Sequence, residues 1–241
     1  MKMQITKLIR IYTPSLYTFL LNGRDNFFKF SKKSYSQFGE DLVLSTYINP
    51  SKKGFYVDVG AYHPFKFSNT YFYYKKGWNG INIDAKPGSM EAFKKNRRRD
   101  INLEMGISNN KEELDFYIYK EPAYNTFSKD LAGLRTSQGL KYFKKETIKT
   151  NSLENILDQY LPKDTKIDFI SIDAEGLDLS VLKSNNWEKY QPDYILVELQ
   201  GSKMEHVEDS EIFSFLKKYN YSLVSITNMT LIFKHQENNP K

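Results

Sequence analysis

Cysteine is absent from the 241-residue chain. That removes disulfides, thiolate metal sites and cysteine nucleophiles from consideration. No apolar run is long and unbroken enough to span a bilayer. The apolar N-terminal stretch has no small-residue cleavage site, so a secretory signal peptide is not expected. Neither a G-x-G-x-x-G fingerprint nor a P-loop occurs. The formal net charge of +6 is mild for this length. It favours an acidic partner (phosphate, nucleic acid or an anionic membrane face) without choosing among them. Hydrophobic residues at 40% and aromatics at 15% are enough for a folded domain with a proper core.

The stretch around which the rest is arranged is Gly54-Phe55-Tyr56-Val57-Asp58-Val59-Gly60-Ala61-Tyr62-His63-Pro64. An apolar strand runs into Asp58, and Gly60, lacking a Cβ, lets a ligand approach the backbone. Ser68-Asn69-Thr70 then supplies cap residues for a helix through Lys76. Ile81-Asn82-Ile83-Asp84 is a second strand ending in an acid. The spacing from Asp58 to Asp84 is that of a strand, a crossover helix and a parallel strand. An acid closing the second strand is placed to accept both hydroxyls of a ribose.

Further along, Ser89 begins a helix to about Arg99 that carries Lys94, Lys95, Arg97, Arg98 and Arg99. This basic run reads as a solvated helix face or as a site for phosphate or an acidic membrane. Strands are expected at 101–105 and 114–119. Residues 120–150 break the rhythm and read as an irregular acceptor-side insert with a basic helix near Lys141, Lys144, Lys145 and Lys149. Helices follow at 153–161, 179–187 and 212–219, strands at 167–173 and 194–198, and a closing hairpin over 221–233. Asp58, Asp84, Asp173 and Glu198 thus end four strands, and ligands bind beyond the carboxyl ends of such strands. A pocket with acids for a ribose and base but no pyrophosphate cradle suits an adenosine compound without phosphate. S-adenosylmethionine fits.

The set Ser36-Gln37-Phe38-Gly39-Glu40-Asp41, Val57-Asp58-Val59-Gly60-Ala61, Ser68-Asn69-Thr70, Ile83-Asp84-Ala85 and Ile172-Asp173-Ala174-Glu175-Gly176 resembles the FkbM-type S-adenosylmethionine-dependent methyltransferases. The likeness runs from about Ser34 to residue 201. It implies an α/β, class I (Rossmann-like) fold: a seven-stranded, mostly parallel sheet with a C-terminal antiparallel hairpin and helices on both faces. It also implies O-methylation, commonly of sugars in polysaccharide or natural-product assembly. Asp58, Gly60 and Ala61 would then line the methionine end, Asp84 would hold the ribose, and Met105, Gly106 and Ile107 would approach the adenine. Gln37, Glu40, Ser68, Asn69, Thr70, Ala85 and Asp173 complete the expected cofactor set. Tyr62-His63-Pro64 departs from the further glycines of the pattern, which leaves the contacts to the cofactor carboxylate open.

A sugar hydroxyl is a poor nucleophile and needs a base or a metal. Asp173 and Glu175, beyond the strand at 167–173, rank ahead of His63 as bases. His63 has the turn role as its competing reading, and Glu175 that of a helix cap. Asp173 with Glu198 is also weighed as an oxygen site for Mg²⁺. Residues 1–33 form a helical appendage before the domain at 34–236, and 237–241 a frayed tail. The appendage packs on the domain or on a second subunit, or rests on a membrane surface as a basic-aromatic helix. The expected compartment is the cytoplasm, with contact at the inner face of the membrane. The expected acceptor is a glycan. The readings set against it are a nucleic-acid or other small-molecule methyltransferase and a non-catalytic adenosine-ligand scaffold.

Overall fold

The computed structural model describes residues 11–27, 32–199 and 204–236. The chain divides into two units, Met1–Lys33 and Ser34–Lys241. In the first, α1 runs over Pro14–Phe27. Proline costs little at a helix start, where its missing N–H would have no partner, so Pro14 opens α1 just after the break at Thr13 that separates it from the helical Ile11 and Tyr12. Leu16, Phe19 and Leu20 are exposed on it. No helix among the described residues is long and apolar enough to cross a membrane. The expected tail at 237–241 and the outer parts of the N-terminal helix lie outside the described residues.

The second unit runs α2 (Glu40–Leu44), β1 (Phe55–Val59), α3 (Tyr71–Lys75), β2 (Asn79–Asp84), α4 (Met90–Asn96), β3 (Ile101–Glu104), β4 (Gly106–Ile107) and β5 (Glu113–Ile118). Then come α5 (Lys129–Ser137), β6 (Lys144–Asn151), α6 (Leu153–Tyr160), β7 (Phe169–Ile172), α7 (Asp178–Lys183), β8 (Tyr194–Glu198), α8 (Glu211–Lys218), β9 (Tyr221–Thr227) and β10 (Thr230–His235). The main sheet has seven strands in the order β3-β2-β1-β7-β8-β10-β9. Strands β3 to β8 pair in parallel, and β10 enters antiparallel between β8 and β9. Alternate side chains of β1 feed the two faces. Val57 and Val59 pack with Leu153, Ile156 and Val181 on one side. Tyr56 packs with Leu44, Tyr73, Trp78 and Phe169 on the other. Helices therefore cover both faces, as a parallel sheet requires.

Three expectations change. Lys144–Asn151 is a strand rather than part of a basic helix. It pairs antiparallel with β5 and parallel with β4 in a small second sheet. Its β-branched Thr147, Ile148 and Thr150 suit a strand, and the interleaved lysines hide its period of two. Ser36, a natural helix cap ahead of the apolar Leu42-Val43-Leu44 run, is not the cap residue: α2 starts behind Gly39 at φ 90°, and the Ser36 hydroxyl reaches its first turn from outside, donating to Asp41 Oδ1 at 2.9 Å and accepting from the Asp41 N–H at 3.3 Å. Ser152, by contrast, is a cap, accepting from the Asn155 N–H.

The third change matters most. Arg97, read as part of a solvated basic run, is fully buried. Its Nε donates to Asp100 Oδ2 at 2.8 Å, and its Nη2 to the Tyr56 hydroxyl at 2.7 Å and to Thr70 Oγ1 at 3.0 Å. Its Nη1 donates to the Pro64 carbonyl at 3.1 Å. Asp100 also accepts from Asn82 Nδ2 and the Gly80 N–H. One guanidinium thus joins β1, the end of α4, the loop after β1 and the start of α3.

At the rim of the sheet, β1 and β7 meet in register with Val59 opposite Ile172. Gly60 follows at φ 83°. A Cβ there would overlap the Asp173 carbonyl oxygen. Only glycine lets these two strand ends come together.

Replacing Arg97 by Met strands Asp100 and Tyr56 in the interior. Urea unfolding should then show a loss of about 3–5 kcal/mol, the usual cost of removing one partner of a buried pair. Gly60→Ala should cost about 1–3 kcal/mol through overpacking alone. An unchanged unfolding midpoint in that variant would contradict the close approach.

Candidate active site

Strand order reverses at β1 and β7: β2 and β3 lie to one side, β8 and the hairpin to the other. Such a switch point opens a crevice beyond the strand ends. Gly60, Asp84, Asp173 and Glu198 stand around it and line one cavity of about 570 Å³. That volume suits a ligand of cofactor size.

The turn after β1 is fixed from the backbone upward. The N–H groups of Gly60 and Ala61 both donate to the Ile83 carbonyl, at 2.9 and 3.0 Å. The Tyr62 N–H donates to Asp84 Oδ2 and the Lys86 N–H to Asp84 Oδ1, each at 2.8 Å. These bonds orient the Asp84 carboxylate and favour its charged form, yet burial outweighs them and its pKa is raised. Each carboxylate oxygen keeps a lone pair for a ligand hydroxyl.

Beside Asp84 the cavity narrows into an apolar slot reaching Ala85, Met105, Gly106 and Ile107. Phe116 and Phe127 form its far wall, with ring centres 4.5 Å apart. Sequence reasoning missed both phenylalanines. They come from β5 and from the insert, and only the pairing of β4 with β6 carries that segment to the sheet. A Cβ on Gly106 would crowd the ring tip of Phe127 at 3.1 Å.

Asp173 lines the crevice half-buried. Its Oδ1 is shielded from solvent and has no hydrogen-bond partner among the described residues. Burial first, and then the negative charge of Glu198, hold its pKa well above the usual carboxylate range. Glu175 lines the same cavity at φ 51°. Its carbonyl accepts from Thr126 Oγ1 at 2.7 Å, and its carboxylate lies 3.9 Å from Arg135 Nη2. It therefore ties the turn after β7 to the insert. The helix-start role weighed for Glu175 belongs to Asp178, which accepts from the Ala174 and Gly176 N–H groups and is pushed up to about 7 by burial.

The remaining expected residues divide. Gln37, Glu40 and Asn69 line a small recess that also reaches Asp173 and Glu198. Glu40 is buried there and accepts from the Phe38 N–H at 2.9 Å. Asp58, Ser68 and Thr70 point instead to the opposite face of β1. Thr70 Oγ1 donates to Asp58 Oδ2 at 2.7 Å, within the Arg97 network, and burial pushes Asp58 up to about 6. Side chains alternate along a strand, so Asp58 and the pocket-facing Val59 cannot share a face. Ala61 packs on Met90 and Phe93. The structure gives His63 the turn role: its Nδ1 accepts from the Phe65 and Lys66 N–H groups, both at 3.1 Å. As for Mg²⁺, no group of three or more His, Asp or Glu suited to a metal occurs among the described residues. Asp173 and Glu198 stand as two carboxylates.

The apolar slot, the oriented Asp84 and the Asp173 carboxyl in the cavity lining together fit an adenosine-bearing cofactor. No curated protein matches the chain. Among solved structures, one similar chain is the Haemonchus contortus phosphoethanolamine N-methyltransferase 1 in complex with phosphoethanolamine and S-adenosylhomocysteine. It is 13% identical, with a TM-score of 0.32. The match covers 94% of this chain and 45% of that one, so this chain spans less than half of its length. The methyltransferase FkbM domain model matches residues 58–223, most of the chain. The chain belongs to the FkbM-type family of S-adenosylmethionine-dependent methyltransferases.

Proposed function

We propose that this methyltransferase acts on oxygen, at a sugar hydroxyl in glycan or polysaccharide biosynthesis, with Asp173 as the base. The observation that carries the reading is the Asp173 carboxyl in the lining of a cavity walled by the Tyr62, Phe67 and Tyr124 rings, with its inner oxygen Oδ1 left without a hydrogen-bond donor among the described residues. Aromatic faces suit the C–H faces of a sugar ring, and phenol groups serve its hydroxyls.

S-adenosylmethionine supplies a methyl group already activated by its sulfonium, so the chain must mainly align the acceptor oxygen with it. Asp84 offers its remaining lone pairs to the ribose hydroxyls. The slot between Met105 and the two phenylalanines would hold the adenine and keep water from it. Asp173 would accept the proton of the acceptor's hydroxyl, which leaves the oxygen lone pair free to take the methyl group that the sulfonium gives up on becoming a thioether. Its burial and the charge of Glu198 make it a stronger base than an exposed carboxylate. Glu175, engaged with Arg135, shapes the wall rather than moving the proton.

Two outcomes test this reading. Asp84→Asn should weaken S-adenosylhomocysteine binding, measured by calorimetry, by about tenfold, as expected for lost hydrogen bonds to a charged acceptor. Affinity equal to wild type would remove Asp84 from the ribose. Asp173→Asn should lower methyl transfer to a glycan extract by about 10²–10⁴-fold, the range for a general base. In the wild type, kcat/KM should climb as pH rises through the raised pKa of Asp173, because the base works deprotonated. A profile already flat from the ordinary carboxylate range upward would sink the assignment.

A further inference from the structure

We propose that the loop 62–67 is the acceptor-recognition element of this site and that Lys66 selects a sugar bearing an anionic group, carboxylate or phosphate. The inference rests on the glycan reading above and deepens it.

Two side-chain-bearing residues bracket the loop in the left-handed region, Tyr62 at φ 55° and Phe67 at φ 54°. Backbone of this kind persists only where the surroundings over-determine it. Here they do. The Tyr62 N–H is held by Asp84, the Pro64 carbonyl by Arg97, and the Ser68 N–H by the Tyr35 carbonyl. His63 Nδ1 clamps the loop from inside by accepting two of its N–H groups. His63 is therefore a positioning residue, and the loop is a rigid mount rather than a flexible turn.

The mount holds three side chains at the cavity: Tyr62, Lys66 and Phe67. The two rings are stacked, 18° from parallel. Lys66 Nζ stands 4.5 Å from the Phe67 ring centre and 5.8 Å from that of Tyr62. Lys66 makes no ion pair among the described residues, although the same cavity is lined by Asp84, Glu121, Asp173, Glu175 and Glu198. Arg135, the other cation of the lining, is already spent on Glu175 and on the Tyr124 carbonyl. A cation on an aromatic platform at the rim, above an acidic floor, sorts an acceptor by charge. The floor repels an anionic substituent, and Lys66 receives it at the rim. The substituent is then held away from Asp173, and a hydroxyl of the same ring is turned toward it.

The test uses the full chain saturated with S-adenosylhomocysteine and ligand-observed NMR titrations of glucose, glucuronic acid and glucose 6-phosphate. At least one of the two anionic sugars should bind about tenfold or more tighter than glucose, the scale of one charge-assisted hydrogen bond. Which of them does so separates carboxylate from phosphate. Lys66→Gln should erase that preference and leave glucose unchanged, and Lys66→Arg should keep it. Glucose binding as tightly as both anions would overturn the inference while the glycan reading stands. Equal weakening of all three sugars in Lys66→Gln would also overturn it, by showing that the lysine only props the rings. No binding by any sugar, with S-adenosylhomocysteine still bound, would bring down both.

Discussion

The buried guanidinium of Arg97 is the interaction on which the positioning of this site depends. Strands β1 and β2 carry polar groups on an inner face: Tyr56, Asp58 and Asn82. Unpaired, each would cost its full desolvation. Arg97 and Asp100 answer them in one network that also grips Thr70 and the Pro64 carbonyl. A buried pair of this sort is a weak source of net stability, because desolvation consumes most of the attraction. What it fixes is geometry. The loop after β1 cannot shift without breaking a bond to a charge, so Gly60 and Tyr62 stay where the crevice needs them.

A second constraint comes from the other side of the switch point. The turn after β7 is held by Asp178 from below and is tied to the insert through Glu175 from above. Thr126 bonds to the Glu175 carbonyl, and Phe127, next in the chain, closes the slot beside Gly106. The insert is thus part of the pocket wall rather than a loose cover. Its small sheet, with β6 shared between β4 and β5, gives that wall a backbone anchor that an irregular loop would lack.

Much of this was legible in the chain. The strands ending at Asp58, Asp84, Asp173 and Glu198 were readable because buried parallel strands are short apolar runs closed by polar residues. The crevice position of Asp84 and Asp173 followed from the same pattern. The roles of Asp58, Ser68 and Thr70 were not legible. A fully buried strand shows no alternation of apolar and polar residues, so nothing in Phe55–Val59 tells which side chain faces which layer. Arg97 was misread for a related reason: within a run of lysines and arginines, composition cannot single out the one that turns inward. Lys144–Asn151 was lost because its lysines look alike in a helix and in a half-exposed strand.

The amino-acid sequence by itself determined the alternation of strands and helices, the acids at four strand ends and the family, since these are local patterns of hydrophobicity and spacing. The tertiary structure alone decided which acids share the cavity, that two phenylalanines from a distant segment wall the slot, and that His63 clamps a loop. Those outcomes hinge on side-chain direction and on pairing between residues far apart in the chain, and neither is written in any local stretch.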